Sequence, residues 1–99
     1  MVKVRRTAVI SGGQLQEGMG FAQSICEIVK KNFGIDLSLS IQMGGQPSRI
    51  CWESTYEDLG EYQKLMGQVM TNQEYLAKIK EAKDLFIPGS VQDSIWLQM

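Results

Sequence analysis

The sequence predicts an α+β domain in which one four-stranded antiparallel sheet carries helices on a single face. Its expected order is β-α-β-β-α-β, with the second helical region split in two. Three observations carry this reading. Apolar and polar residues alternate through residues 2–10, 35–43, 48–54 and 91–99, as in strands with one covered face. Apolar residues recur every three or four positions through residues 15–33, 59–69 and 75–86, as on one face of a helix. A short Gly/Pro connector joins the two middle alternating segments, which makes them an antiparallel hairpin.

The first strand is expected at Val2–Ile10, with Val2, Val4, Ala8 and Ile10 on one parity and Lys3, Arg5 and Thr7 on the other. Arg6 breaks the apolar side and Val9 the polar one. Ser11-Gly12-Gly13 ends the strand. A helix follows, with Leu15, Met19, Ala22, Cys26, Val29 and Phe33 as its stripe and Phe21, Ile25 and Ile28 widening it. Lys30 and Lys31 lie in its last turn, favourable against the negative end of the helix dipole, and Gly34 suits the left-handed position that closes many helices.

Ile35, Leu37, Leu39, Ile41 and Met43 alternate with Asp36, Ser38, Ser40 and Gln42, the most regular alternation in the chain. Gly44-Gly45-Gln46-Pro47 turns it into a third strand over residues 48–54. Ser54 or Thr55 can cap the next helix, whose stripe is Leu59, Tyr62, Met66 and Val69. Thr71 and Glu74 have capping-box spacing, which starts a further helix near Asn72 that buries Tyr75, Leu76, Ile79, Ala82 and Phe86. Pro88-Gly89 ends the helical region. Val91, Ile95, Leu97 and Met99 form a last strand, interrupted by Asp93 on the same parity. The order of elements is that of the split βαβ, ferredoxin-like arrangement.

Composition narrows the function classes. Ninety-nine residues make one domain, 1–99, with a thin core that a partner subunit would extend. Ten Lys and Arg against eleven Asp and Glu leave no cationic surplus for a polyanion, so nucleic acid is not an expected partner. No histidine is present, which removes imidazole bases, His-ligated metals and His-held haem. The longest aliphatic runs are three residues, so no membrane span is expected. The N-terminus lacks the pattern of a secretory leader. Cys26 and Cys51 read as buried, reduced thiols in a cytoplasmic protein.

Trp52-Glu53-Ser54-Thr55-Tyr56-Glu57-Asp58-Leu59 runs from strand into helix. It is followed by Tyr62 through Met70, by Thr71-Asn72-Gln73-Glu74-Tyr75, and by Pro88-Gly89-Ser90. This layout resembles the dimeric α+β barrel superfamily, especially its small NIPSNAP-like and antibiotic-biosynthesis-monooxygenase-like members. The resemblance implies a homodimer whose two sheets face each other around a cavity. Its haem-degrading branch uses a histidine that this chain lacks, so no cofactor carries over. Branches that oxidise polyphenols without a cofactor rely on Asn, Trp and sometimes His. Trp52 and Trp96 are present, but no residue matches a catalytic motif closely enough to take over a role.

The alternation turns one set of side chains away from the helices: Arg5 and Thr7 on the first strand, Ser38 and Ser40 on the second. Depending on register, Arg49, Cys51 and Glu53 on the third strand and Trp96 on the fourth join them. These eight are the candidate cavity face, where a small and partly aromatic molecule would bind between paired sheets. The competing reading makes Arg5, Arg49 and Glu53 cross-strand ion pairs and Trp96 interface packing, in a non-catalytic dimerisation module. Cys51 has no histidine to activate it. The glycines between the first strand and helix match no phosphate loop. Two cysteines and scattered carboxylates make no metal site.

Overall fold

Residues 1–99 are described by a computed structural model. The elements follow as β1 (Val2–Val9), α1 (Leu15–Phe33), β2 (Ser38–Ile41), β3 (Arg49–Tyr56), α2 (Leu59–Val69), α3 (Gln73–Glu81) and β4 (Gln92–Leu97). The four strands form one antiparallel sheet in the order β2-β3-β1-β4. This is the expected ferredoxin-like α+β order, with the split second helix present as α2 and α3.

The inward parity of the central strands supplies the floor of the core. Val2, Val4, Ala8 and Ile10 from β1 and its extension, with Ile50, Trp52 and Tyr56 from β3, are all buried. Above them α1 buries Phe21, Ala22, Ile25, Ile28 and Val29. Its buried face is centred one position away from the expected stripe, since Leu15 and Met19 at its start are exposed. Gly34 adopts the left-handed conformation (φ 70°) that a Cβ would disfavour, and its N–H closes α1 on the Lys30 carbonyl.

Several boundaries differ from expectation, each for a local reason. β3 runs on to Tyr56, so Ser54 is a buried strand residue and not a helix cap. Asp58 caps α2 instead, its carboxylate accepting the Glu61 N–H at 2.8 Å. Leu65 joins Val69 as the buried anchor of α2, while Leu59 is exposed. Asn72 rather than Thr71 caps α3, accepting from Tyr75 N–H at 2.9 Å. Glu74 cannot complete a capping box because Asn32 and Lys31 of α1 hold its carboxylate. Lys78 therefore pairs with Glu81 and not with Glu74. β2 is shorter than its alternation, since only four residues find partners on β3; Ile35 and Leu37 pack on the core without pairing.

The two edges of the sheet are unlike. β2 is short and carries serines on its outward face. β4 is exposed along its whole length, with Ile95 50%, Trp96 57% and Leu97 76% exposed. No helix of the structure is long and apolar enough to cross a membrane.

Candidate functional site

The register answers where the eight sequence-predicted site residues lie. Arg5 stands opposite Glu53 and Thr7 opposite Cys51 across β1 and β3. Ser38 stands opposite Glu53 and Ser40 opposite Cys51 across β2 and β3, and Lys3 lies opposite Trp96 across β1 and β4. With Arg49 two residues before Cys51, all eight share the face turned away from the helices. Arg5 forms an ion pair with Glu53, and its guanidinium lies 5.9 Å from the centre of the Trp96 ring. Arg49 Nη1 donates to Gln42 Oε1 at 3.4 Å.

Burial pushes the Cys51 thiol upward, and the Glu53 carboxylate adds to that against the opposing pull of Arg5 and Ser40. This is the direction of a resting thiol, not of a nucleophile. Cys26 lies on α1, on the other side of the sheet, and both cysteines are half-buried and free rather than fully buried. No group of three or more His, Cys, Asp or Glu side chains is placed to hold a metal. In the single chain this face is an open sheet surface with a shallow depression at Lys3, Arg5, Trp96 and Gln98.

A second, apolar pocket lies on the opposite side, between the sheet and the helices. A cavity of about 400 Å³, lined by 24 residues of which 18 are hydrophobic, separates α2 and α3 from the strands beneath them. That volume lies within the range of small-molecule sites. Val4, Arg6, Ala8, Trp52, Ser54 and Tyr56 form its floor. Tyr62, Leu65 and Met66 of α2 and Tyr75 and Ile79 of α3 form its walls, and Phe86 to Gly89 run along one side. The strap carrying Phe86 is tied to the end of β1: the Ile87 N–H donates to the Val9 carbonyl at 2.9 Å, and the Val9 N–H to Ser90 Oγ at 3.1 Å.

Two departures from alternation meet in this cavity. Arg6 on β1 and Asp93 on β4 are register partners. Arg6 Nε and Nη2 donate to the two Asp93 oxygens at 2.7 and 2.8 Å, a bidentate pair whose side chains are 35% and 38% exposed. The hydrogen bonds from Arg6 hold the Asp93 carboxyl below the usual range, against the opposing effect of burial. They raise the guanidinium correspondingly, so the pair is ionic at any ordinary pH.

Ser54 Oγ donates to the Tyr56 hydroxyl at 2.9 Å, and the Tyr56 and Tyr62 rings lie 5.2 Å apart. Burial raises both phenols. Ser54 partly offsets this at Tyr56, and Arg6 partly offsets it at Tyr62. The Arg6–Asp93 pair, Ser54, the three tyrosines and Lys83 give one apolar chamber a small set of polar groups. None of them belongs to the eight residues chosen from sequence, although Arg6 and Asp93 had already stood out as interruptions of their strands.

Asp93→Asn tests the pair. A carboxyl with a depressed folded pKa contributes stability that is present above its unfolded pKa near 4 and is lost as pH falls through the folded value. With both side chains more than a third exposed, solvent screening limits the loss at pH 7 to about 1 kcal/mol. Thermal midpoints of the variant and wild type should differ at pH 7, begin to converge as pH falls below about 4, and meet only below the folded pKa of Asp93. A difference that persists undiminished at low pH would mean that Asp93 acts through packing rather than charge.

No protein-family model matches this chain, and no curated protein matches it in sequence. Solved structures do match it in fold. An uncharacterised NIPSNAP domain protein from Burkholderia xenovorans superposes with a TM-score of 0.85 at 13% identity, covering 100% of this chain and 95% of the other. A NIPSNAP family protein from Agrobacterium tumefaciens matches with a TM-score of 0.79 at 20% identity, over 99% and 92% of the two chains. An antibiotic biosynthesis monooxygenase matches with a TM-score of 0.78 at 8% identity, over 100% and 99%. The chain has the ferredoxin-like fold of these proteins, as its sequence resemblance implied.

Proposed function

We propose that this protein is a homodimer that binds a small, largely apolar and partly aromatic molecule, with one binding cavity in each subunit between the sheet and helices α2 and α3. The observation that carries the binding reading is the chamber itself. An apolar hollow of this size with an ion pair and tyrosine hydroxyls in its wall is the usual form of a ligand site.

Dimerisation rests on β4. Its free edge and its uncovered Ile95, Trp96 and Leu97 form an apolar border that a lone chain leaves in water. A second copy packed along β4 and the outward sheet face would cover it, and would place Arg5, Glu53 and Trp96 at the interface. The fold is shared with an antibiotic biosynthesis monooxygenase, so cofactor-free oxidation of a bound electron-rich ring is the activity to assay once a ligand is found.

Sedimentation velocity at micromolar concentration should show a dimer that Leu97→Asp dissociates; a monomeric wild type would overturn the dimer. Thermal-shift screening against metabolites and polyphenols should yield stabilising compounds whose effect weakens in Met66→Trp, which fills the chamber. A dimer that no compound stabilises would make the protein a dimerisation module instead.

A further inference from the structure

Resting on that reading of the cavity, we propose that its occupant is an organic anion: an apolar body bearing a carboxylate, which lodges against Arg6 and Lys83. Only three lining residues carry charge, Arg6, Lys83 and Asp93. Arg6 and Asp93 cancel, and Lys83 takes part in no ion pair, so the chamber holds one net positive charge.

Hydrogen bonds within the protein engage the anionic acceptor and leave the cationic donors only partly used. Both Asp93 oxygens receive Arg6. The Tyr56 oxygen receives Ser54, which leaves its own proton free to be donated. Trp52 Nε1 is committed to the Ala22 carbonyl at 3.2 Å and offers nothing to a ligand. What remains is three Arg6 N–H groups, two on Nη1 and one on Nη2, the Lys83 ammonium and the hydroxyls of Tyr56, Tyr62 and Tyr75.

The match to ligand charge follows. A cation would meet Lys83 and a carboxylate already neutralised by Arg6. A neutral hydrocarbon would cover the part of Arg6 that faces the pocket and offer its N–H groups no acceptor. A carboxylate on an apolar body satisfies the donors with charge-assisted bonds while its body fills the apolar remainder. Asp93 then serves as a positioning residue, fixing the guanidinium plane so that its Nη1 edge is free for the ligand.

The test uses a matched pair of probes, naphthoate and its uncharged amide, naphthamide, titrated calorimetrically against the full chain. Wild type should bind naphthoate at least about tenfold more tightly than naphthamide. The double variant Arg6→Gln/Asp93→Asn removes both charges without stranding either, and should bring the two affinities within about threefold by weakening naphthoate alone. Lys83→Gln, at an exposed position that the fold tolerates, should lose part of the same preference. Equal binding of both probes by wild type would overturn the anion assignment and leave the cavity reading standing, whereas binding of neither would overturn both. A preference undiminished in both variants would place the carboxylate elsewhere and overturn the assignment to Arg6 and Lys83.

Discussion

Trp52→Ala is expected to destabilise the chain by about 3–5 kcal/mol. The indole sits in the middle of β3, 9% exposed. Its ring centre lies 6.5 Å from Phe21, edge to face, and 6.3 Å from Phe86, and its N–H reaches the Ala22 carbonyl of α1. One side chain thus joins the sheet, the long helix and the strap after α3. Truncation removes the aromatic contacts and the donor together. It also enlarges a chamber that is already open, which leaves the neighbours little cause to collapse into the space. Trp96, 57% exposed on β4, is the matched control once Leu97→Asp has removed the dimer, and its replacement by alanine in that background should change stability by less than about 0.5 kcal/mol. Urea melts followed by circular dichroism would decide. A Trp52→Ala loss below about 1.5 kcal/mol would show that the surrounding rings close the gap.

Gly18→Ala should destabilise by up to about 2 kcal/mol, although alanine is the better helix former. A methyl at Gly18 would lie 2.8 Å from each of Cγ1, Cγ2 and Cδ1 of Ile10. Ile10 is itself 2% exposed, and two of the three colliding atoms are attached directly to its Cβ, so no rotation of a chain end relieves them. Helix propensity favours alanine by about 1 kcal/mol, whereas overpacking a closed site costs about 1–3 kcal/mol. The second effect wins here. At Gly20 a methyl would meet nothing within 4 Å, so Gly20→Ala should show the propensity gain alone. In the Ile10→Ala background, Gly18→Ala should lose its penalty and reverse sign. Equal stabilisation by alanine at both glycines would refute the close approach of α1 to β1.

Sheet and helix order were legible because they are written in local periods. The outward set was legible too, since a strand turns alternate residues to opposite faces and Arg5, Thr7, Cys51 and Glu53 follow that rule. Helix caps were less so. Ser54, Thr55 and Asp58 are all good caps in isolation, and only the pairing of β3 with β1 up to Tyr56 decides in favour of Asp58. The Arg6–Asp93 pair left a trace as two opposite charges on apolar parities, and in a split βαβ order the first and last strands are neighbours. That conjunction was the signal available for the polar end of the cavity.

By itself the sequence determined the element types, the face each strand residue takes, and the exclusion of imidazole chemistry, because these depend on residue identity and on spacings of two to four. Tertiary structure alone revealed the apolar pocket between the sheet and helices α2 and α3. Whether a layer of side chains fills its space depends on how far α2 and α3 stand off the strands, and that distance is set by contacts between residues far apart in the chain. The aromatic cluster of Phe21, Trp52 and Phe86, the three tyrosines and the Arg6–Asp93 pair all contribute to the pocket's lining. No local pattern encodes a volume.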